Sequence, residues 1–215
     1  MDELDLLKSQ WQTREHQFPV LSFNDIYKML LKKSSSIVKW IFIISIVELL
    51  FWTILAFLVP ESSKSFMTEM GTDTVFLIIN IVNYTVFAFF ILLFWKNHKR
   101  IQVTDSVKEL MENILKTRKT VKYFVIYNVS TAVSLLLGVN IFYYLNKEAL
   151  AAAIQKSSLD YNAVPPEMFT KMFFIGQIVG GIIMVGFVLL FYFLVYGFLL
   201  KRLKKNYYEL EKMEI

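Results

Sequence analysis

The chain has 215 residues, 56% of them hydrophobic and 19% charged, carries +5 at neutral pH and contains no cysteine. A charged fraction below the roughly 25% of ordinary soluble domains, with the apolar residues gathered into long runs, excludes a simple water-soluble globule. The missing thiols exclude disulfides, thiolate metal centres and cysteine nucleophiles.

Residues 1–36 precede the first long apolar run and are expected to form amphipathic helices on one side of a membrane. Within 2–14, Leu4, Leu7 and Trp11 fall on one helical face until Phe18-Pro19 breaks the pattern. Ser22, with Asp25 three residues on, has the spacing of a capping box ahead of Ile26, Met29 and Leu30. Lys28, Lys32 and Lys33 line the polar side, so this segment suits either anionic headgroups or its own chain. The acidic start and the late onset of the apolar run predict no cleavable signal.

Four runs follow, at 37–59, 75–95, 121–145 and 173–200. Each meets the ~20 residues that cross a hydrocarbon layer about 30 Å thick. The connection 60–74 carries Pro60, which helps end the first span, and Thr72 or Asp73 to cap the second. The 96–120 connection is helical, with Ser106 and Glu109 at capping-box spacing and Val107, Leu110, Met111 and Ile114 on one face. Either the helices of the leading segment or a second subunit is expected to cover that stripe. The connection 146–172 holds a short helix around 148–154 and a stiff Pro165-Pro166 approach to the last span, and 201–215 forms a tail.

Charge assigns the sides. With Lys39 and Lys122 counted to the nearer tail or connection, 19 Lys and Arg lie in the two tails and 96–122, against 4 in the other two connections. Basic residues stay inside, so both termini are expected in the cytoplasm of a bacterial inner membrane. Trp40, Trp95 and Tyr123 at one interface, and Tyr143 and Tyr144 at the other, sit where aromatic anchors belong. The fold class is therefore all-α: a polytopic membrane protein of four transmembrane helices with a cytoplasmic layer of amphipathic helices.

One ionisable residue, Glu48, stands in the middle of a span. A charge there costs roughly 2.5–3.5 kcal/mol on insertion scales, so it must face protein or water, or be neutral. Asn83 on the second span and Ser130, Thr131 and Ser134 on the third lie at similar depth and are its expected partners. Tyr127, Thr131, Ser134 and Gly138 share one face of the third helix. Two roles fit Glu48: a proton- or ion-linked site, or a structural hydrogen bond tying two helices. Gly176 and Gly180 form a GxxxG pair that marks a helix-packing face in the fourth span. His16 and His98 fall in no metal set, and neither a nucleotide loop nor a hydrolase motif occurs, so no cofactor, metal or catalytic residue is expected.

An offset of 83 residues gives a faint echo: Lys33, Val38 and Lys39 recur as Lys116, Val121 and Lys122. Little identity extends into the spans, so shared lead-in chemistry explains the echo better than duplication.

The stretches ELDLLKSQW and DIYKMLLKKSSSIVKWIFIISIVE, joined to the four-span plan, resemble an uncharacterised family of small inner-membrane proteins of Bacteroidota, above all flavobacteria. Its members often carry the label β-carotene 15,15′-monooxygenase. Membrane enzymes of that kind hold iron through histidines on their spans, and no span here has one. The leading LxxLKxxW pattern is also similar to that of some membrane-bound anti-sigma partners. The zinc-type members of that group bear HxxxCxxC, which a chain without cysteine lacks. The expectation is a non-enzymatic protein of interaction, scaffold or regulatory type, acting through its cytoplasmic amphipathic helices. Its partners would be the lipid bilayer and a second copy or another membrane or cytoplasmic protein, not nucleic acid. The alternative is a small transporter or ion-coupled channel using Glu48, and the remote one a carotenoid- or lipid-modifying enzyme.

Overall fold

The computed structural model describes residues 22–157 and 166–214. The helix expected at 2–14 lies outside the described residues. Among those described there are six helices: α1 (Phe23–Phe57), α2 (Glu61–Glu69), α3 (Asp73–Gln102), α4 (Val107–Leu145), α5 (Lys147–Ser157) and α6 (Pro166–Glu214).

Four of them are long and apolar enough to cross a membrane. In the most apolar stretch of each, only 6% to 17% of residues are buried within the chain. Val47, Leu77, Ile81, Leu92, Ile182 and Phe193 all stand more than half exposed. Water would not tolerate such a surface, whereas hydrocarbon is indifferent to it.

At about 1.5 Å per residue, the 35 residues of α1 span about 52 Å, well beyond a hydrocarbon layer. The excess lies at one end, here called the basic end. There, among the described residues, the amphipathic layer takes the form of the first turns of α1 and α4 and the last turns of α6, continuous with the spans. Ser22 Oγ accepts from Asp25 N at 3.2 Å while Asp25 accepts from Ser22 N at 3.1 Å, completing the expected capping box. The Ser22 hydroxyl, donating to Asp25 Oδ2 at 2.6 Å, and then the Ser22 N–H hold the Asp25 carboxyl below its ordinary range. Ser106 likewise caps α4, accepting from Glu109 N at 3.3 Å.

The stripe of α4 is covered from within: Leu110 and Ile114 share one fully buried cluster with Leu30 of α1 and Leu203 and Leu210 of α6. Polar stitches hold the same layer. Asn113 Nδ2 donates to Thr104 Oγ1 at 3.1 Å, Asn97 Nδ2 to Thr120 Oγ1 at 3.2 Å, and Asn206 Nδ2 to Ser34 Oγ at 3.0 Å. Tyr27 donates to the Thr104 carbonyl at 2.9 Å, and burial raises its hydroxyl above the usual tyrosine range.

At the opposite end, α5 is the helix expected near 148–154, whereas α2 was not anticipated in the 60–74 connection. The α1 helix stops at Phe57 with Leu58 as its C-cap, and Pro60 serves instead as the N-cap of α2. Thr72 occupies the N-cap position of α3 without a side-chain bond to the helix, because its hydroxyl donates backwards to the Met67 carbonyl. Gly71 N donates to Thr68 O and Thr72 N to Met67 O, the paired bonds of a Schellman corner. Gly71 has φ +65°, and a Cβ there would meet nothing within 4 Å. Gly71→Ala is therefore expected to cost about 1 kcal/mol through backbone conformation alone. Faster amide exchange confined to the α2–α3 corner checks this, and unchanged exchange there would refute it.

The order long, short, long occurs twice, as α1–α2–α3 and α4–α5–α6. Long helices pair within each half, α1 on α3 and α4 on α6, and the halves meet through α1 with α6 and α3 with α4. The echo in sequence thus coincides with an architectural repetition, each half opening on a serine-capped helix.

Candidate functional site

Glu48 is buried, with 5% exposure, but not on the partners expected for it. Its neighbours come from α6. Tyr192 donates its hydroxyl to Glu48 Oε1, and Tyr196 donates to Oε2 at 3.0 Å. Spacing of i and i+4 puts both tyrosines on one helix face, so one carboxyl group receives one donor on each oxygen. Trp52 follows Glu48 by one turn of α1, and both line one cavity. Among the described residues no basic side chain pairs with the carboxyl.

Asn83 is engaged elsewhere, accepting from the Tyr127 hydroxyl at 2.8 Å across α3 and α4. Thr131 lines a cavity near Asn83, whereas Ser130, Ser134 and Gly138 are exposed. The third-span face expected to carry Tyr127, Thr131, Ser134 and Gly138 therefore divides. Helical rotation takes Ser134 and Gly138 out of the interior.

That cavity, of about 450 Å³, lies between the four long helices in the half of the bundle away from the basic end. Asn80, Asn83, Tyr84, Asn128, Thr131 and Tyr192 supply its polar lining, and among the described residues no Asp, Glu, His, Lys or Arg lines it. Towards the basic end an aromatic plug closes it. Phe124 of α4 contacts Phe87, Phe90 and Phe94 of α3 and Tyr192 and Tyr196 of α6, with ring centroids 5.0 Å to 6.1 Å apart.

A second cavity of similar volume, almost wholly apolar, lies between α1 and α6. Val47, Phe51 and Phe187 on its rim are exposed, so it opens towards lipid. Glu48 lines this one, and Trp52, Val188 and Tyr192 line both. Tyr192 and Trp52, with the Glu48 carboxyl on the groove side, therefore stand in the partition between a polar chamber and a lateral, apolar groove.

Sequence reasoning found Glu48 and missed Tyr192 and Tyr196. A usable signal was present, since they are two tyrosines one turn apart inside the fourth span and within a few residues of the depth of Glu48.

The close approach on α6 also falls elsewhere than expected. A Cβ on Gly176 or Gly180 would meet nothing within 4 Å, so no described residue opposes this pair. A Cβ on Gly181 would lie 2.2 Å from Leu136 Cδ1, making Gly181 the glycine on which α4 and α6 pack. His98 joins no metal set: among the described residues no three His, Cys, Asp or Glu side chains gather to hold an ion.

No curated protein and no solved structure matches the chain. A family model described as "Domain of unknown function (DUF8845)" matches residues 24–215, taking in every described helix from the second residue of α1 onward. The chain belongs to this family.

Proposed function

We propose that the protein is a non-enzymatic carrier of the inner membrane of a bacterium, with its basic end in the cytoplasm. Its cargo would be a small, uncharged, hydrogen-bonding solute held in the polar chamber. The observation that carries this reading is the partition: Tyr192 and Trp52, with Glu48 on the groove side, stand between the chamber and the lateral groove. Three asparagines, a threonine and tyrosines offer both donors and acceptors, while the lack of an ionised lining group among the described residues disfavours an ion as cargo. The tyrosines can only donate to an ionised carboxylate. A protonated Glu48 gains an O–H that can donate back to a tyrosine hydroxyl, which then turns its own proton elsewhere, and this couples the carboxyl's charge to the chamber wall through Tyr192. The aromatic plug argues for a gated carrier over an open channel. The taxonomic resemblance and the charge asymmetry support the membrane and its sidedness. The oxygenase label gains nothing from spans without histidine.

Solid-supported membrane currents from proteoliposomes, evoked by a panel of polyols and nucleosides, test the carrier reading. At least one solute is expected to drive proton-coupled charge displacement in the wild type and none in Glu48→Gln, which keeps shape and hydrogen bonding without titration. Equal currents in the two proteins, or none from the whole panel, would remove it.

The interaction reading retains one supporting observation. Phe23 and Ile26 stay exposed at the start of α1, beyond the reach of hydrocarbon. Affinity purification in mild detergent tests it, and recovery of a lone monomer insensitive to Phe23→Ser with Ile26→Ser would count against it.

A further inference from the structure

At the basic end, α1 and α6 part to leave a groove of about 660 Å³ that neither reading above uses. Lys32 and Lys33 come from α1, Arg202 and Lys205 from α6, and among the described residues no acidic side chain lines the groove. Lys205 has Glu209 at 3.8 Å, while Lys32, Lys33 and Arg202 form no ion pair among the described residues. Ser36 and Asn206 add a hydroxyl and an amide to the lining, and Asn206 is held by its 3.0 Å bond to the fully buried Ser34.

Height along the bundle matters as much as charge. Ile37, where the first apolar run begins, forms the lower wall, so the cations stand at the level of lipid headgroups. The Arg202 guanidinium lies 4.3 Å over the exposed Phe198 ring, one turn towards the hydrocarbon. A ligand here meets an apolar wall below and four cations above, the division that an amphiphile with an anionic head would match.

We infer that this groove binds the phosphate headgroup of an anionic phospholipid, with Lys32, Lys33, Arg202 and Lys205 contacting the phosphate and Ser36 or Asn206 the adjoining polar groups. A general excess of basic residues at a membrane edge would attract anionic lipid diffusely. This site instead depends on four particular side chains from two helices that converge on one groove.

The test uses the full chain in detergent micelles, with phosphatidylglycerol, phosphatidylcholine and inorganic phosphate as probes, read by native mass spectrometry. Wild type is expected to retain phosphatidylglycerol in preference to phosphatidylcholine. The quadruple variant Lys32→Gln, Lys33→Gln, Arg202→Gln, Lys205→Gln is expected to bind phosphatidylglycerol about tenfold more weakly or worse, given the contribution of each cation near an anionic surface. These side chains are exposed, so the fold is expected to survive their neutralisation, and an unchanged melting temperature checks this. Neutralising four exposed cations outside the groove, Lys96, Lys108, Lys119 and Lys201, controls for net charge and is expected to leave retention within about twofold. Equal loss in the two quadruple variants would overturn the site in favour of diffuse attraction. Equal retention of the two lipids would overturn it too, and displacement of lipid by millimolar inorganic phosphate would reassign it to a free anion.

Discussion

Replacing Tyr192 and Tyr196 together with phenylalanine is expected to destabilise the bundle by about 1–3 kcal/mol for each donor removed, because the Glu48 carboxyl would stay buried with its acceptors unmet. Adding Glu48→Leu to that pair is expected to restore most of the loss. Removing one side of a buried polar contact leaves an uncompensated group, whereas replacing every member with apolar groups of similar shape removes the demand for hydrogen bonds. Phenylalanine preserves the ring contacts that Tyr192 and Tyr196 make with Phe124, at 6.1 Å and 5.7 Å, so packing changes little. Chemical unfolding in mixed micelles of the wild type, the double variant and the triple variant gives the comparison. A triple variant as unstable as the double one would show that Glu48 contributes something besides paired hydrogen bonds.

The same series separates the two roles open to Glu48. If the carboxyl only ties α1 to α6, the restored triple variant keeps whatever activity the wild type has. If it carries a proton for the polar chamber, stability returns while solute-driven current does not. Stability and transport thus divide in one set of proteins, which Glu48→Gln alone cannot achieve.

The four long helices were legible because their signals are redundant and local to each element: four apolar runs of more than 20 residues and two serine caps at capping-box spacing. What escaped was set by rotation about helix axes. Depth along a span follows from counting residues, which puts Glu48, Asn83 and Thr131 at similar heights in their runs. Which face meets which neighbour depends on the order of helices round the bundle, and α1 lies between α3 and α6. Glu48 turns towards α6, leaving Asn83 to Tyr127. The same cause moves the close contact on α6 from Gly176 and Gly180 to Gly181, since a single residue is 100° of turn. The basic end was half legible. Its amphipathic stripes were evident, but covering them requires the tail of α6, where Leu203 sits inside a basic run that reads as solvated and Leu210 lies beyond it.

Phe124→Ala is expected to have the largest effect of any single change, a loss of about 3–5 kcal/mol, because it empties the centre of the plug. Phe124 is completely buried and touches rings from α3 and α6 at once, so no single neighbour can swing in to fill the space. Lipid cannot fill it either, since the site lies inside the ring of helices. The void would extend the polar chamber towards the basic end, where Asn97 and Thr120 already supply polar groups. Water is then expected to enter, and proteoliposomes containing the variant should leak protons without any added solute. Phe124→Leu, which keeps most of the volume, is expected to cost less and to stay tight. Leakage is measured with a pH-sensitive dye trapped inside the vesicles. A destabilised but tight Phe124→Ala would confine the ring to packing and place the barrier elsewhere. A variant both tight and as stable as the wild type would mean that this aromatic cluster does not close the bundle at all.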